Sequence, residues 1–289
     1  MNRLFKERVS VGAGGWSGRL FWEVLWPWLY YEMLLSLVYL LYGWIFDGMV
    51  VMLVAMTAAI VLLLPVYLYR ESCRDQGRRG NQGSPGNPTG CGSQRSCESR
   101  ELRTEFRNWL SLTLTAVSTS LFLNLFLIFS GAMGSSGGHE AVNEVLYSVP
   151  LWLQLLVLGL VAPLTEELIY RGFAYRRLRT VMGIVPAAAV TALFFALFHG
   201  NLLQGIYAGI LGLFLALACE WGGLKAAVWF HVWANLASVR MTFLTAACPE
   251  LMSSQWLGMG LFFAGGAGTF YGGFCLVQVI RRSEEYNRK

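Results

Sequence analysis

The chain has 289 residues, of which 55% are hydrophobic and only 13% are charged. Soluble globular proteins average about 25% charged residues, so this composition excludes an ordinary soluble domain. Long apolar blocks alternate with short basic stretches, which predicts an integral membrane protein. The net charge of +5 does not indicate a nucleic-acid partner, because most Arg and Lys residues flank apolar blocks and act there as topology signals.

Eight apolar segments are long enough to cross a bilayer, which predicts an all-α, polytopic transmembrane helix bundle of about eight spans. The first two spans form an N-terminal membrane module, residues 1–69. Residues 70–107 are rich in Gly, Ser, Asn, Pro and Arg and are predicted to be a disordered cytoplasmic linker. A second membrane domain covers 108–289. The predicted spans lie at about 25–45, 48–69, 109–132, 147–171, 184–199, 202–219, 225–240 and 256–280.

The distribution of basic residues predicts the orientation in the membrane. Basic residues precede the first span, eight arginines occupy 70–107, and the chain ends on a basic segment. The segments 46–48, 133–146 and 241–255 contain no Lys or Arg. The positive-inside rule therefore places both termini and the linker in the cytoplasm. The short loops favour a bacterial plasma membrane.

Charged residues at membrane depth cost about 2.5–3.5 kcal/mol on insertion scales, so they are candidates for function. The clearest case is the sequence EELIYR at 166–171. Glu167 and Arg171 are four residues apart and are predicted to pair on one helix face. Glu166 is then left without a partner in the motif and suits a general base. The alternative is that both carboxylates lie at the cytoplasmic end of the helix and are solvated.

Two later segments carry polar groups inside apolar runs. His199 ends the sequence FFALFH, although a lone histidine on an apolar face is often a satisfied core residue. His231 and Asn235 present two hydrogen-bonding side chains on one helix face, and a helix–helix hydrogen bond is the alternative there. With Glu166, these groups are sufficient to activate a water and to stabilise an oxyanion.

Three motifs, taken in order, carry a resemblance to a known family. They are E-E-x-x-x-R at 166–171, F-x-x-x-H at 195–199 and H-x-x-x-N at 231–235. Together they resemble the CPBP family, which contains type II CAAX prenyl endopeptidases and bacteriocin-processing or self-immunity proteins. The resemblance covers residues 150–240, approximately. It implies that 108–289 is a CPBP-like intramembrane protease domain acting on a membrane-anchored or lipidated peptide.

The resemblance also implies a role for each motif residue. Glu166 is the expected catalytic base and activates water together with His199. His231 and Asn235 are the expected oxyanion stabilisers. Three residues are expected to support them: Glu167, Arg171 and Phe195.

No cofactor is expected, because the family is generally taken to be metal-independent glutamate proteases. Zinc is the alternative, but typical zinc-ligand spacing such as H-E-x-x-H is missing from the sequence. Two other functions stay open. One is a non-catalytic membrane immunity or scaffold protein, and the other is a transporter, which the lack of an internal repeat disfavours.

The depth of the motifs in the membrane tests the hypothesis that they form one catalytic site. If the fifth span starts at residue 181, His199 lies about 27 Å deeper, far from Glu166. We therefore expect the fourth helix to continue past Arg171 toward Arg176 and the next helix to start at Pro186. Glu166 and His199 would then meet in one cavity open to the cytoplasm. Motif groups on opposite faces without a shared cavity would contradict catalysis.

Overall fold

The computed structural model describes residues 18–81, 94–131, 149–199, 201–248, 250 and 254–288. Throughout these ranges the long elements are helices and no strand occurs. The predicted all-α helix bundle is therefore confirmed. Its helices are α1 (Gly18–Tyr42), α2 (Gly48–Asn81), α3 (Gln94–Phe129), α4 (Leu151–Met182), α5 (Ile184–Leu197), α6 (Leu202–Ala247) and α7 (Gln255–Arg288).

Six of the helices in the described part of the chain are long and apolar enough to cross a membrane. The other helix, α5, is apolar but has only 14 residues, and it extends about 21 Å against a hydrocarbon core of about 30 Å. The protein is therefore an integral membrane protein. The prediction of eight separate spans departs from the structure at two helices, α5 and α6.

The predicted sixth and seventh spans are the two arms of one element, α6, which folds back at Gly222 and Gly223. Gly223 has a φ of +73°, in the left-handed region that favours glycine. The rings of Phe214 and Phe230 stack with centroids 6.2 Å apart. A straight helix would separate these two positions by about 24 Å. The two arms, 202–221 and 224–247, therefore lie side by side.

The predicted linker, 70–107, is helical at both of its ends. Helix α2 continues to Asn81 and α3 begins at Gln94, whereas 82–93 lies outside the described residues. Helical hydrogen bonds close within the segment, so a helix begun by an apolar span can continue into polar sequence. The whole of the predicted loop 133–146 also lies outside the described residues.

Helix α4 lies at the centre of the bundle. It packs against α1, α2, α5 and α6, whereas α7 packs mainly against α3. All residues of Leu168–Tyr175 are buried. Large apolar side chains such as Leu40 and Val61 are exposed on α1 and α2, as expected for surfaces that contact lipid tails. The Glu-Glu motif is thus enclosed by helices on several sides.

The connection between α4 and α5 differs slightly from the prediction. Helix α4 continues past Arg171, as expected, and ends at Met182. Gly183, with a φ of +87°, makes the turn. Helix α5 begins at Ile184, so Pro186 lies in its first turn rather than at its first position. The first helical turn tolerates proline because its N–H groups have no partner within the helix.

Candidate active site

One cavity brings together the polar residues of all three motifs. Glu166 of α4, His199 just beyond the end of α5, and His231 and Asn235 of the second arm of α6 line a cavity of about 460 Å³. Glu166 and His199 therefore share a cavity, as predicted. The opening of that cavity toward the cytoplasm stays a prediction.

The predicted pair between Glu167 and Arg171 is present. Arg171 Nη1 donates to Glu167 Oε1 at 2.8 Å, and both side chains are fully buried. Solvated carboxylates are therefore the wrong alternative for Glu167. Arg171 Nη2 donates to the Gly212 carbonyl of α6 at 3.1 Å, and the guanidinium carbon lies 4.8 Å from the ring centroid of Phe195. Arg171 thus links α4 to α5 and α6.

A contact between Glu167 and His231 was not foreseen from the sequence. His231 Nδ1 lies 2.9 Å from Glu167 Oε1, the oxygen that also accepts from Arg171. A carboxylate paired with arginine is an acceptor, so Nδ1 carries the hydrogen. The two residues are 64 positions apart, and no local spacing signal could have revealed the contact.

Glu166 also has a partner from another helix. His231 Nε2 lies 3.7 Å from Glu166 Oε2, and the side chain of Glu166 is 20% exposed. Because Nδ1 holds one hydrogen, neutral His231 presents a lone pair at Nε2, and protonated His231 presents a second N–H. A single imidazole therefore joins the two carboxylates of the Glu-Glu motif.

The bonding of His199 fixes its tautomer. Its Nδ1 lies 2.5 Å from the Phe195 carbonyl oxygen, one turn earlier. A carbonyl oxygen only accepts, so the neutral ring keeps its hydrogen on Nδ1 and leaves Nε2 as an acceptor. The buried Phe195 ring lies edge-on to His199, with centroids 4.4 Å apart, and to His231, at 5.7 Å. Phe195 therefore fixes both imidazoles.

Asn235 makes a helix–helix hydrogen bond, the alternative that the sequence left open for its motif. Its Nδ2 donates to the Leu158 carbonyl at 2.8 Å. Leu158 lies in a π-helical turn, where the Ala162 N–H bonds to the Val157 carbonyl. Pro163 follows and has no N–H, so the Leu158 carbonyl has no donor from its own helix at either position. Asn235 satisfies this carbonyl and keeps a second amide hydrogen for the cavity that it lines.

A family profile matches the part of the chain that holds these motifs. The profile, described as type II CAAX prenyl endopeptidase Rce1-like, matches residues 148–237, about a third of the chain. Over these residues the chain is similar to that family. This match supports the resemblance to the CPBP intramembrane proteases and, more generally, a CAAX-type membrane endopeptidase. Comparison with curated proteins and with solved structures gives no match.

The matched segment, 148–237, does not contain the whole cavity. Helices α1, α2 and α3 lie outside the matched residues, yet each contributes side chains to the cavity wall. The N-terminal helices, whose role the sequence leaves open, are thus part of the site. The composition of the wall is mainly apolar, with a few convergent polar groups, as is usual for ligand sites.

The donor groups around the cavity do not fit a zinc site. Among the residues that the structure describes, no three His, Cys, Asp or Glu side chains converge as metal ligands. Glu167 Oε1 already accepts from Arg171 and lies against His231 Nδ1. Zinc usually takes three or four such ligands, so no step of the proposed peptide hydrolysis involves a metal.

Proposed function

We propose that this protein is an intramembrane endopeptidase that hydrolyses membrane-anchored or lipidated peptides with a water activated by Glu166 and His199. The main support is that these two residues share one cavity with His231 and Asn235. The cavity belongs in part to a segment that resembles type II CAAX prenyl endopeptidases. Prenylated CAAX-type peptides are accordingly among the proposed substrates.

The geometry suits direct attack by water. Glu166 is outside the buried ion pair and its carboxylate reaches the cavity. His199 offers Nε2 as an acceptor, so a water between the two residues would donate one hydrogen to each. The water oxygen attacks the scissile carbonyl carbon while its proton passes to Glu166. Glu166 then returns that proton to the amine nitrogen as the carbon–nitrogen bond breaks, and no acyl-enzyme forms.

The remaining motif residues are proposed to stabilise the negative charge that develops on the scissile carbonyl oxygen. Protonated His231 would donate from Nε2 to the oxyanion, and Asn235 would donate with its second amide hydrogen. Glu167 is a positioning residue, because its carboxylate holds Nδ1 of His231 and so directs Nε2 toward the cavity. Arg171 in turn holds Glu167 in place.

The proposed function is tested by product analysis with the purified protein. A quenched lipidated peptide library is incubated with protein in detergent, with and without a strong chelator, and the fragments are identified by mass spectrometry. We expect two fragments whose summed mass exceeds that of the substrate by one water, in the presence of chelator. If the chelator abolished cleavage and added zinc restored it, the metal-free mechanism would be contradicted. Equal products from wild type and Glu166→Gln would favour the non-catalytic alternative.

A further inference from the structure

Part of the cavity wall lies outside the matched segment, 148–237, and carries a charge that the motifs do not use. Helix α1 contributes Tyr31, Glu32 and Leu35, and α2 contributes Met52 and Met56. The reacting groups all lie within 148–237. Wall residues from other helices can therefore determine which peptide fits without taking part in the chemistry.

Glu32 is a carboxylate in the middle of an apolar span. It lies at the midpoint of Trp22–Tyr42, the apolar part of α1, and its side chain is half-buried. None of the ion pairs recorded for the described residues includes it. A carboxylate without a cationic partner in an apolar span is costly, and such residues usually serve function.

Two other acids near the ends of the spans do have cationic partners. Glu23, nine positions earlier in α1, lies 2.7 Å from Arg177, and Glu220 is paired with Arg179. Glu32 instead faces the cavity.

The charges of the cavity are unbalanced. Its described lining includes the carboxylates of Glu32 and Glu166 but neither Lys nor Arg. Both carboxylates are close enough to Tyr31 and Tyr170 to interact with them electrostatically. A substrate carboxylate placed beside Glu32 would be repelled by its negative charge, whereas an ammonium or guanidinium group would be attracted. Glu166 already has His231 beside it, which leaves Glu32 for the cation.

We infer that Glu32 is a specificity-determining residue that selects peptides with a lysine or arginine side chain beside the scissile bond. This inference rests on the proposed function and specifies its substrate class. Glu32 pairs with the basic side chain through charge and leaves Glu166 free to activate water. Since the pair would form in a confined, mostly apolar cavity, its effect on selectivity is larger than that of a surface pair.

The inference is tested with lipidated peptides that differ at one position. Lysine, norleucine or glutamate is placed in turn on each side of the scissile bond, and kcat/KM is measured for wild type and Glu32→Gln. We expect wild type to prefer lysine over norleucine by about tenfold or more, mainly through KM. In Glu32→Gln the ratio falls to about one. Asp47→Asn, which removes an exposed acid from the turn between α1 and α2, is the matched control and keeps the wild-type ratio.

A charge reversal separates selectivity from a structural role. Glu32→Lys is expected to prefer the glutamate peptide over the lysine peptide, which damage to packing alone could not produce. If Glu32→Gln or Glu32→Lys fails to fold, Glu32→Asp keeps the charge with a shorter side chain and is expected to prefer lysine still. A lysine preference that persists in folded Glu32→Gln, or its absence from wild type and Glu32→Asp, would overturn the inference.

Binding distinguishes failure of this inference from failure of the proposed function. The same peptides, labelled with a fluorophore, are titrated into Glu166→Gln with and without Glu32→Gln. Selective binding of the lysine peptide that depends on Glu32, without cleavage by wild type, would refute the proposed function alone. Cleavage of all peptides at ratios that do not change with Glu32 would refute only the role of Glu32.

Discussion

The buried pair of Glu167 and Arg171 makes a quantitative prediction about stability. Both side chains have 0% exposure. Arg171→Met would leave Glu167 charged and buried beside His231, and Glu167→Gln would leave the buried guanidinium without its counter-charge. Breaking a buried pair by removing one partner costs about 3–5 kcal/mol, because the other charge stays desolvated.

The double variant is expected to recover much of this loss. Replacing both members of a buried pair by neutral groups of similar volume is often neutral or stabilising. Gln also keeps an oxygen that can accept from His231 Nδ1. We therefore expect Glu167→Gln/Arg171→Met to have a higher free energy of unfolding than either single variant. The double variant would be less active than wild type, because His231 loses its carboxylate partner.

Thermal unfolding in detergent measures this effect through the intrinsic fluorescence of the 11 tryptophans. Each single variant is expected to lower Tm by about 6–20 °C, with the double variant above both. Arg177→Met is the control, since Arg177 and its partner Glu23 are 41% and 29% exposed, and it should cost about 1 kcal/mol or less. A double variant whose loss equals the sum of the single losses would refute the coupling.

Two further predictions concern packing. Asn235→Leu leaves the Leu158 carbonyl without the donor described above and is expected to lower the free energy of unfolding by about 1–3 kcal/mol; an unchanged urea midpoint would contradict this role. Gly272→Ala places a Cβ 2.1 Å from Thr115 Oγ1 and is expected to cost about 1–3 kcal/mol in thermal unfolding. Gly260→Ala on the same helix meets nothing within 4 Å and should stabilise by about 0.5–1 kcal/mol. Equal changes in stability for the two alanine variants would contradict the predicted steric clash between residue 272 and α3.

Local spacing predicts the features of this protein that depend on neighbouring positions. The i, i+4 spacing of Glu167 and Arg171 gives their pairing directly, because the two side chains share a helix face. Apolar segments of sufficient length give the membrane helices, and the order of three motifs gives the residues of the cavity. These inferences need no knowledge of how the helices pack.

Features that depend on packing were beyond the sequence. The contact of His231 with Glu167 joins positions 64 residues apart and follows from the arrangement of α4 against α6. The role of Asn235 depends on a π-helical turn that ends beside Pro163, and periodicity does not reveal such a turn. Glu32 stands out in the sequence only as an acid in an apolar run, and its place in the cavity appears once α1 packs against α4.

The most direct test of the account is the rate at which Glu166→Gln cleaves a single lipidated peptide in proteoliposomes, measured beside wild type under single-turnover conditions. Gln keeps the size of the side chain but cannot take a proton from water. Wild-type Tm for the variant would establish that the bundle is intact. The account predicts a loss of about 10²–10⁴-fold, the usual contribution of a general base. A folded Glu166→Gln that cleaves the peptide within twofold of the wild-type rate would contradict the assignment of Glu166 as the base.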